Sequence, residues 1–471
     1  MMKRNYNRSW SAAAYNQKGQ ILIVFAVSII VLLGLVGLSI DVGIAYSVRA
    51  KLNAAVDAAS IAASRAVATG ETEAARRQNA IRAGQRFFYA NFPDGYLGAI
   101  PDEPTITVEY ASNGVWRTEV EASADMELYF FKLFGHETMT VAAMGEAIRR
   151  DLDLILVIDT SGSLDYPVSP RGTFQKVKDA AVSFVDRFIG GSGGDRLGLI
   201  AFSGGASLEA EINKTSVRGF DKDSVINKIN SLSVGGPTAG AEAMRIAQQE
   251  IDAVPSAIRS SLRVVVFFSD GAPNMVAADY PLGYFDRRNN WYWSGNSQTG
   301  TLYTDSSRSS TWPDQLWRHD SRNSKIGDFE NQIRLLPLTG LGEQDLRSFN
   351  NQRTLSAATT ISGVTGYPNS SCNVNKAARN MVENIANDLR EDQIYVFTLG
   401  LGSMLNRLEV TYCGYGQSEY GGNILKRMAN TSDVDTFNSD QPRGLYVYAE
   451  NADELEEAFA AIASEIIRLT R

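Results

Sequence analysis

Asp159, Ser161 and Ser163 place a carboxylate and two hydroxyls at alternate positions directly after the apolar run Leu154-Ile155-Leu156-Val157-Ile158. Hard oxygen donors of this kind suit magnesium, calcium or manganese rather than zinc. Two other segments carry matching groups. Gly235-Gly236-Pro237-Thr238-Ala239 delivers a hydroxyl from a turn, and Phe267-Phe268-Ser269-Asp270-Gly271 closes a second apolar run with a carboxylate. Three neutral hydroxyls and two carboxylates leave a dication electrophilic, with a water-filled position that a carboxylate from another molecule can take. The same set makes a poor hydrolytic centre, because no nearby His or Lys is evident as a general base.

These groups need a scaffold that brings distant loops to one place. Apolar runs between turn signals read as buried strands, and four are expected at 152–158, 196–203, 262–269 and 393–400. Helices are expected at 174–189, 221–231, 239–253, 375–389 and 451–469. The last opens on the cap-like pair Asn451 and Glu454 and repeats Leu455, Phe459, Ile462 and Ile466 on one face. Such alternation implies an α/β fold, a Rossmann-like doubly wound parallel sheet covered on both faces. Sheets of this type hold ligands at the carboxyl ends of their strands. Asp159, Ser161, Ser163, Thr238 and Asp270 therefore converge at one edge. Between Asn274 and about Asn373 the alternation fails, in a stretch rich in Asn, Ser, Gly and Arg that carries Trp291, Trp293, Trp312 and Trp317. A structureless loop of that length is improbable, so the stretch is an inserted subdomain or a functional loop. Its tryptophans form either a contact surface or the insert's own small core.

Ile21 to Ile40 is a charge-free apolar run long enough to cross the ~30 Å hydrocarbon core of a bilayer. Lys3, Arg4, Arg8 and Lys18 precede it and no acidic residue occurs before Asp41, which keeps the amino-terminal tail in the cytoplasm and exports the remainder. The run exceeds the h-region of a cleaved secretory signal, about 7–15 residues, and no Ala-x-Ala-like site follows it, so one transmembrane anchor is expected. In an oxidising compartment Cys372 and Cys413 are candidates for a disulfide, worth about 4 kcal/mol on the chain-entropy model. The alternative is two separate buried thiols.

Past the anchor the helical pattern continues. Ala54, Ala58, Ala62 and Ala66 recur every fourth residue, with Ala55, Ala59 and Ala63 alongside. The stripe either packs closely on a partner helix or reflects helix propensity alone. Thr69-Gly70 interrupts it, and a second helix is expected over 71–91, ended by Pro93. Alternating stretches at Thr105–Tyr110, Trp116–Glu121 and Thr138–Ala142 read as half-buried strands. Between them lies the aromatic cluster Leu128-Tyr129-Phe130-Phe131-Lys132-Leu133-Phe134-Gly135, read as the core or a connecting helix of a small α+β unit in preference to a membrane-touching patch.

The 471 residues exceed one ordinary domain, and the formal charge of −8 without a long basic patch excludes a nucleic-acid partner. Two histidines and two cysteines leave little material for zinc chemistry or a His-based triad, so no enzyme is expected.

Asp159-x-Ser161-x-Ser163, followed in order by Thr238 and Asp270, resembles the metal-ion-dependent adhesion site (MIDAS) of von Willebrand factor type A domains, over residues 152–469. That resemblance implies that Ser161, Ser163 and often Thr238 touch the metal, magnesium first with calcium or manganese as alternatives, while Asp159 and Asp270 act largely through water. Residues 19–92, from Gly19-Gln20 through Asp41-Val42-Gly43 to Leu52-Asn53-Ala54-Ala55-Val56-Asp57-Ala58-Ala59, resemble TadG-type proteins of the tight-adherence (Flp) pilus machinery. Phe130-Phe131-Lys132-Leu133-Phe134-Gly135 and Thr140-Val141-Ala142-Ala143 are similar to the small β-containing region of those proteins. Gly19 is followed five residues later by Val24, where substrates of the prepilin peptidase carry Glu, which argues against cleavage there.

The expected organisation is a cytoplasmic tail (1–20), a transmembrane helix (21–40), a small α+β pilin-like region (41–150) and a type A domain (151–471) with an insertion at about 275–373. The two resemblances imply a single-pass protein of the bacterial inner membrane, periplasmic in bulk or reaching the cell surface. Its partner is a protein offering an acidic side chain, such as a pilus or secretion-machinery subunit. The alternative is a structural pilin-like component or tether whose metal site only stabilises the domain.

Overall fold

The computed structural model describes residues 20–111, 114–304, 315–329, 332–349, 353–406 and 419–470. Two compact units emerge. The smaller draws on the described residues up to Ala63, on Ile81–Thr107 and on Thr118–Glu146; the larger takes Ser64–Ala80, Val108–Arg117 and the chain from Ala147 onward.

Helix α1 runs unbroken from Gln20 to Ala66 and α2 from Glu73 to Asn91. The strands β1 (Ala99–Pro101), β2 (Thr105–Ala111) and β4 (Thr138–Arg150) all pair with β3 (Val115–Glu127). In the smaller unit Val48, Leu52, Ala55, Val56 and Ala59 of α1 share a core with Phe88 and Phe92 of α2 and with Val120, Ala124 and Val141 of the sheet. The buried face of the alanine stripe is therefore Ala55, Ala59, Ala62 and Ala63, while Ala54 is exposed. The packing partners lie in the same chain. At Gly84 of α2 a Cβ would lie 3.4 Å from that of Ala63 and 2.7 Å from Ile106 Cδ1, and at Gly145 of β4 one would lie 2.9 Å from the Val56 carbonyl. Small residues on both sides let helix and sheet backbones meet.

The larger unit is built on a six-stranded sheet. In chain order its elements are β5 (Leu152–Asp159), α3 (Thr173–Asp186), β6 (Arg196–Phe202), β7 (Ala206–Ala210), α4 (Lys222–Ser231), α5 (Gly240–Asp252) and β8 (Leu262–Ser269). An insertion follows: β9 (Met275–Phe285), β10 (Trp291–Tyr303), β11 (Gln315–Trp317), β12 (Lys325–Asp328), β13 (Leu335–Leu336), β14 (Thr359–Ile361) and β15 (Val364–Pro368). Then come α6 (Ser371–Glu391), β16 (Tyr395–Leu401), α7 (Gly421–Met428), β17 (Tyr446–Ala449) and α8 (Leu455–Leu469). The order across the sheet is β17-β16-β8-β5-β6-β7, parallel throughout except for the antiparallel edge strand β7. Leu154, Leu156 and Ile158 of β5 face a core shared with α3, α4 and α8; Ile155 and Val157 face one shared with α5, α6 and α7. Burial on both faces explains the continuous apolar runs. Two edge strands and α7 add to the expected elements.

The cap expected before α8 is present: Asn451 Oδ1 accepts from Asp453 N at 2.9 Å, and Glu454 accepts from Glu450 N and Asn451 Nδ2. Behind it Leu455, Phe459, Ile462 and Ile466 are buried.

The insertion is a subdomain, with one antiparallel sheet ordered β12-β11-β10-β9 and another ordered β13-β15-β14. Ser362 (φ 52°) and Gly363 (φ 85°) join β14 to β15, both left-handed as a two-residue hairpin requires. The tryptophans divide their roles. Trp291 is buried against Gly283 of the neighbouring strand, Trp293 is exposed, and Trp317 packs on Gly204 of the parent domain. Trp312 lies outside the described residues. Cys372 is disulfide-bonded, and the chain's other cysteine, Cys413, lies outside the described residues.

Candidate functional site

Strands β5 and β8 lie side by side with Ile158 opposite Phe268, so Asp159 and Asp270 leave the sheet at the same edge. A hydrogen-bonded chain links four of the five expected residues. Ser163 Oγ donates to Asp270 Oδ1 at 2.8 Å, and Ser161 Oγ lies 3.0 Å from Ser163 Oγ. The backbone N–H of Ser161 donates to Asp159 Oδ1 at 2.7 Å, curling the loop back on its own carboxylate. Asp159, Ser161 and Asp270 are buried; Ser163 is half-buried at the surface.

Thr238 comes from the turn before α5. Gly235 and Gly236 hold φ of 149° and 86° there, a path that a side chain would strain. Gly235 N donates to Thr160 O, and Gly162 N to Gly236 O, both at 2.8 Å, which fastens this turn to the Asp159 loop. Asn274, just beyond Asp270, accepts from Thr238 N at 2.9 Å and returns a bond to Thr238 O at 3.1 Å. All three loops are thereby laced together. Among the described residues no hydrogen bond joins the Thr238 hydroxyl to the other four groups.

Three contributors were not singled out from the sequence. Ser269 Oγ donates to Asp159 Oδ2 at 2.6 Å, fixing the second oxygen of that carboxylate. Asn274 positions Thr238. Ser203, at the end of β6, accepts from Ala239 N through its carbonyl at 2.7 Å, and its hydroxyl donates to Arg322 O of the insertion at 2.6 Å. Adjacency to Asp270 was the one signal available for Ser269. The β11–β12 connection is docked beside this loop, since Gly204 N also donates to Arg322 O and Ala206 N to His319 O.

The electrostatics fit a cation. Burial pushes the Asp270 carboxyl up to about 8, with the neighbouring Asp159 charge adding to the effect, and burial pushes Asp159 up to about 6 against its hydrogen bonds from Ser269 and Ser161. Two desolvated carboxyls this close call for either protons or an opposing positive charge. The five side chains offer oxygen donors only, a chemistry that suits a hard cation rather than zinc.

Comparison with known proteins identifies two segments of the chain. Residues 153–282 match the von Willebrand factor type A domain family, and residues 19–76 match the family described as putative Flp pilus-assembly TadE/G-like. No curated protein sequence matches. Among solved structures, the von Willebrand factor domain of the type V pili tip protein Mfa5 from Porphyromonas gingivalis aligns at 18% identity and a TM-score of 0.37, over 69% of this chain and 98% of that one. The pilus adhesin SpaC from Lactobacillus rhamnosus GG aligns at 14% identity and 0.37, over 78% of this chain and 34% of that one. The PilB minor pilin from Streptococcus sanguinis aligns at 14% and 0.37, over 79% of each chain. The chain therefore carries a TadE/G-like segment at residues 19–76, followed by a von Willebrand factor type A domain matched over residues 153–282.

Proposed function

We propose that this protein is a membrane-anchored pilus-assembly or adhesion factor that grips a protein partner through a divalent cation held at Asp159, Ser161, Ser163, Thr238 and Asp270. The observation that carries the reading is the linked pair of buried carboxylates with two serine hydroxyls at the carboxyl edge of a type A sheet. Bound magnesium, or calcium or manganese in its place, supplies an electrophilic position for which a partner's Asp or Glu side chain is a natural ligand. The chain's own residues prepare that position. Ser269 and the Ser161 N–H fix Asp159, Asn274 fixes Thr238, and half-buried Ser163 stands where an incoming carboxylate meets the surface.

The anchor is α1. Among the described residues it is the one helix long and apolar enough to cross a membrane, and only 6% of its most apolar window is buried. With the basic residues ahead of it, this favours a single pass through the bacterial inner membrane, the amino terminus cytoplasmic and both units periplasmic. The test is calorimetric titration of magnesium, calcium and manganese into the detergent-solubilised full chain, beside its Ser161→Ala/Ser163→Ala variant. Saturable heat in the parent alone supports the clasp. Equal heats, or none in either folded protein, sink it in favour of a structural pilin-like tether.

A further inference from the structure

The smaller unit carries an apolar surface that its own core does not use. The turn Tyr129–Phe134 leads through a short 3-10 helix (Phe131–Phe134) and leaves Leu133 83% and Phe134 69% exposed, with Tyr129 and Phe130 also open. Such a cluster is costly in water. Its position is fixed by two contacts with α1. Asp41 accepts three backbone N–H bonds, from Tyr129 at 3.0 Å, Phe130 at 2.9 Å and Phe131 at 2.8 Å. Next to it the Phe130 ring lies over Gly37, where a Cβ would come within 2.5 Å, and Phe134 reaches Gly34. Gly37 and Gly34 lie four and seven residues before Asp41, so the turn descends about 6–10 Å alongside the apolar run. The surrounding helix residues Leu33, Val36 and Ile40 are themselves bare.

We infer that Tyr129–Phe134 is a second membrane element, a wedge that beds Leu133, Phe134 and Phe130 among the acyl chains of the leaflet entered by the end of the Ile21–Ile40 segment. The inference rests on the reading of that segment as membrane-spanning. Continuity decides the occupant: the wedge and the bare helix flank form one apolar surface at one depth, and lipid already covers the helix. The chemistry suits an interface. Aromatic rings favour the headgroup boundary, an amphipathic element buries its apolar face ~5–10 Å deep, and Asp41 enters with its oxygens already paired to backbone donors. Lys132, paired to Glu127 at 3.2 Å, keeps its charge at the water side.

The test uses the full chain in nanodiscs of phosphatidylethanolamine and phosphatidylglycerol, spin-labelled at one added cysteine without reductant. Collision with oxygen, which concentrates in lipid, is compared with collision with a water-soluble nickel chelate. Ile30→Cys reports the helix and exposed Tyr166→Cys reports water. Oxygen collisions should dominate at Leu133→Cys and Phe134→Cys, as at Ile30→Cys, and chelate collisions at Tyr166→Cys. Chelate dominance at the turn with lipid exposure at Ile30→Cys overturns the wedge and leaves the anchor intact. Protection from both reagents at the turn shows a protein cover and overturns it equally. Chelate dominance at Ile30→Cys removes the anchor and the wedge together.

Discussion

Ser269→Ala isolates one contact that the proposed clasp depends on. Ser269 and Asp159 are both fully buried, and their hydrogen bond is 2.6 Å long. The same hydroxyl oxygen accepts from Gly271 N at 3.2 Å. The substitution removes one oxygen and leaves almost no cavity, so the loss is confined to polar pairing. A hydrogen bond to a charged group contributes about 1.5–3 kcal/mol, and a buried N–H left without its acceptor costs about 1 kcal/mol more. The expected destabilisation of the larger unit is therefore about 2.5–4 kcal/mol. Urea unfolding of the full chain in detergent, followed by tryptophan fluorescence, should show a lower midpoint with an unchanged slope. Metal affinity should fall as well, by about 10–100-fold, the usual effect of freeing a residue that orients a metal site. A midpoint within error of the parent would refute the claim that Ser269 holds Asp159. A normal midpoint shift with unaltered cation affinity would show instead that the placement of Asp159 does not matter to the site.

Other perturbations probe the frame around the site. Asp153 is buried at the opposite end of β5, where it accepts from Ser260 N and Oγ and from the guanidinium groups of Arg196 and Arg218. Asp153→Asn strands these buried cations and should destabilise by about 3–5 kcal/mol while leaving cation affinity of the folded fraction unchanged, as measured by urea unfolding and calorimetry. Gly145→Val forces β4 off the Val56 backbone, and a loss of about 1–3 kcal/mol should appear as faster limited proteolysis of the smaller unit; equal cleavage rates would contradict the close approach. Glu419 is bound by both Arg353 and Arg427, and although burial opposes them, these two hold its carboxyl below the usual glutamate range. Its contribution is therefore complete above the unfolded value of about 4.5 and is lost as the pH falls through the lowered one. Glu419→Gln should lower the melting temperature at pH 7 more than at pH 3, and an equal loss at both would refute the pairing.

What could be read from the sequence followed burial and locality. β5, β6, β8 and β16 announced themselves because strands covered on both faces need apolar residues at every position. The edge strands did not: β7 is the short Ala-Ser-Leu-Glu-Ala and β17 is Tyr-Val-Tyr-Ala, half-exposed segments with no run to detect. The insertion's strands lie in a stretch rich in Asn, Ser, Gly and Arg, and most are short segments that pair with one another across it, which local preference does not encode. In the candidate site, the oxygen types and their order were legible because each closes a recognisable strand or turn. Ser269, Asn274 and Ser203 were silent because their roles exist only after three loops meet. The alanine stripe shows the same limit, since its period fixed a helix but only the packed structure selected Ala55, Ala59, Ala62 and Ala63 as the inner face.

Helix α1 has a mechanical consequence. Its 47 residues continue about 70 Å without a hinge from the apolar run into the core of the smaller unit. No slack linker intervenes between bilayer and fold at that point. A pull on the smaller unit is therefore borne at once as axial tension along hydrogen-bonded turns, and a tilt of the helix in the lipid becomes an equal tilt of that unit. A protein connected in this way registers the direction of a load as well as its strength.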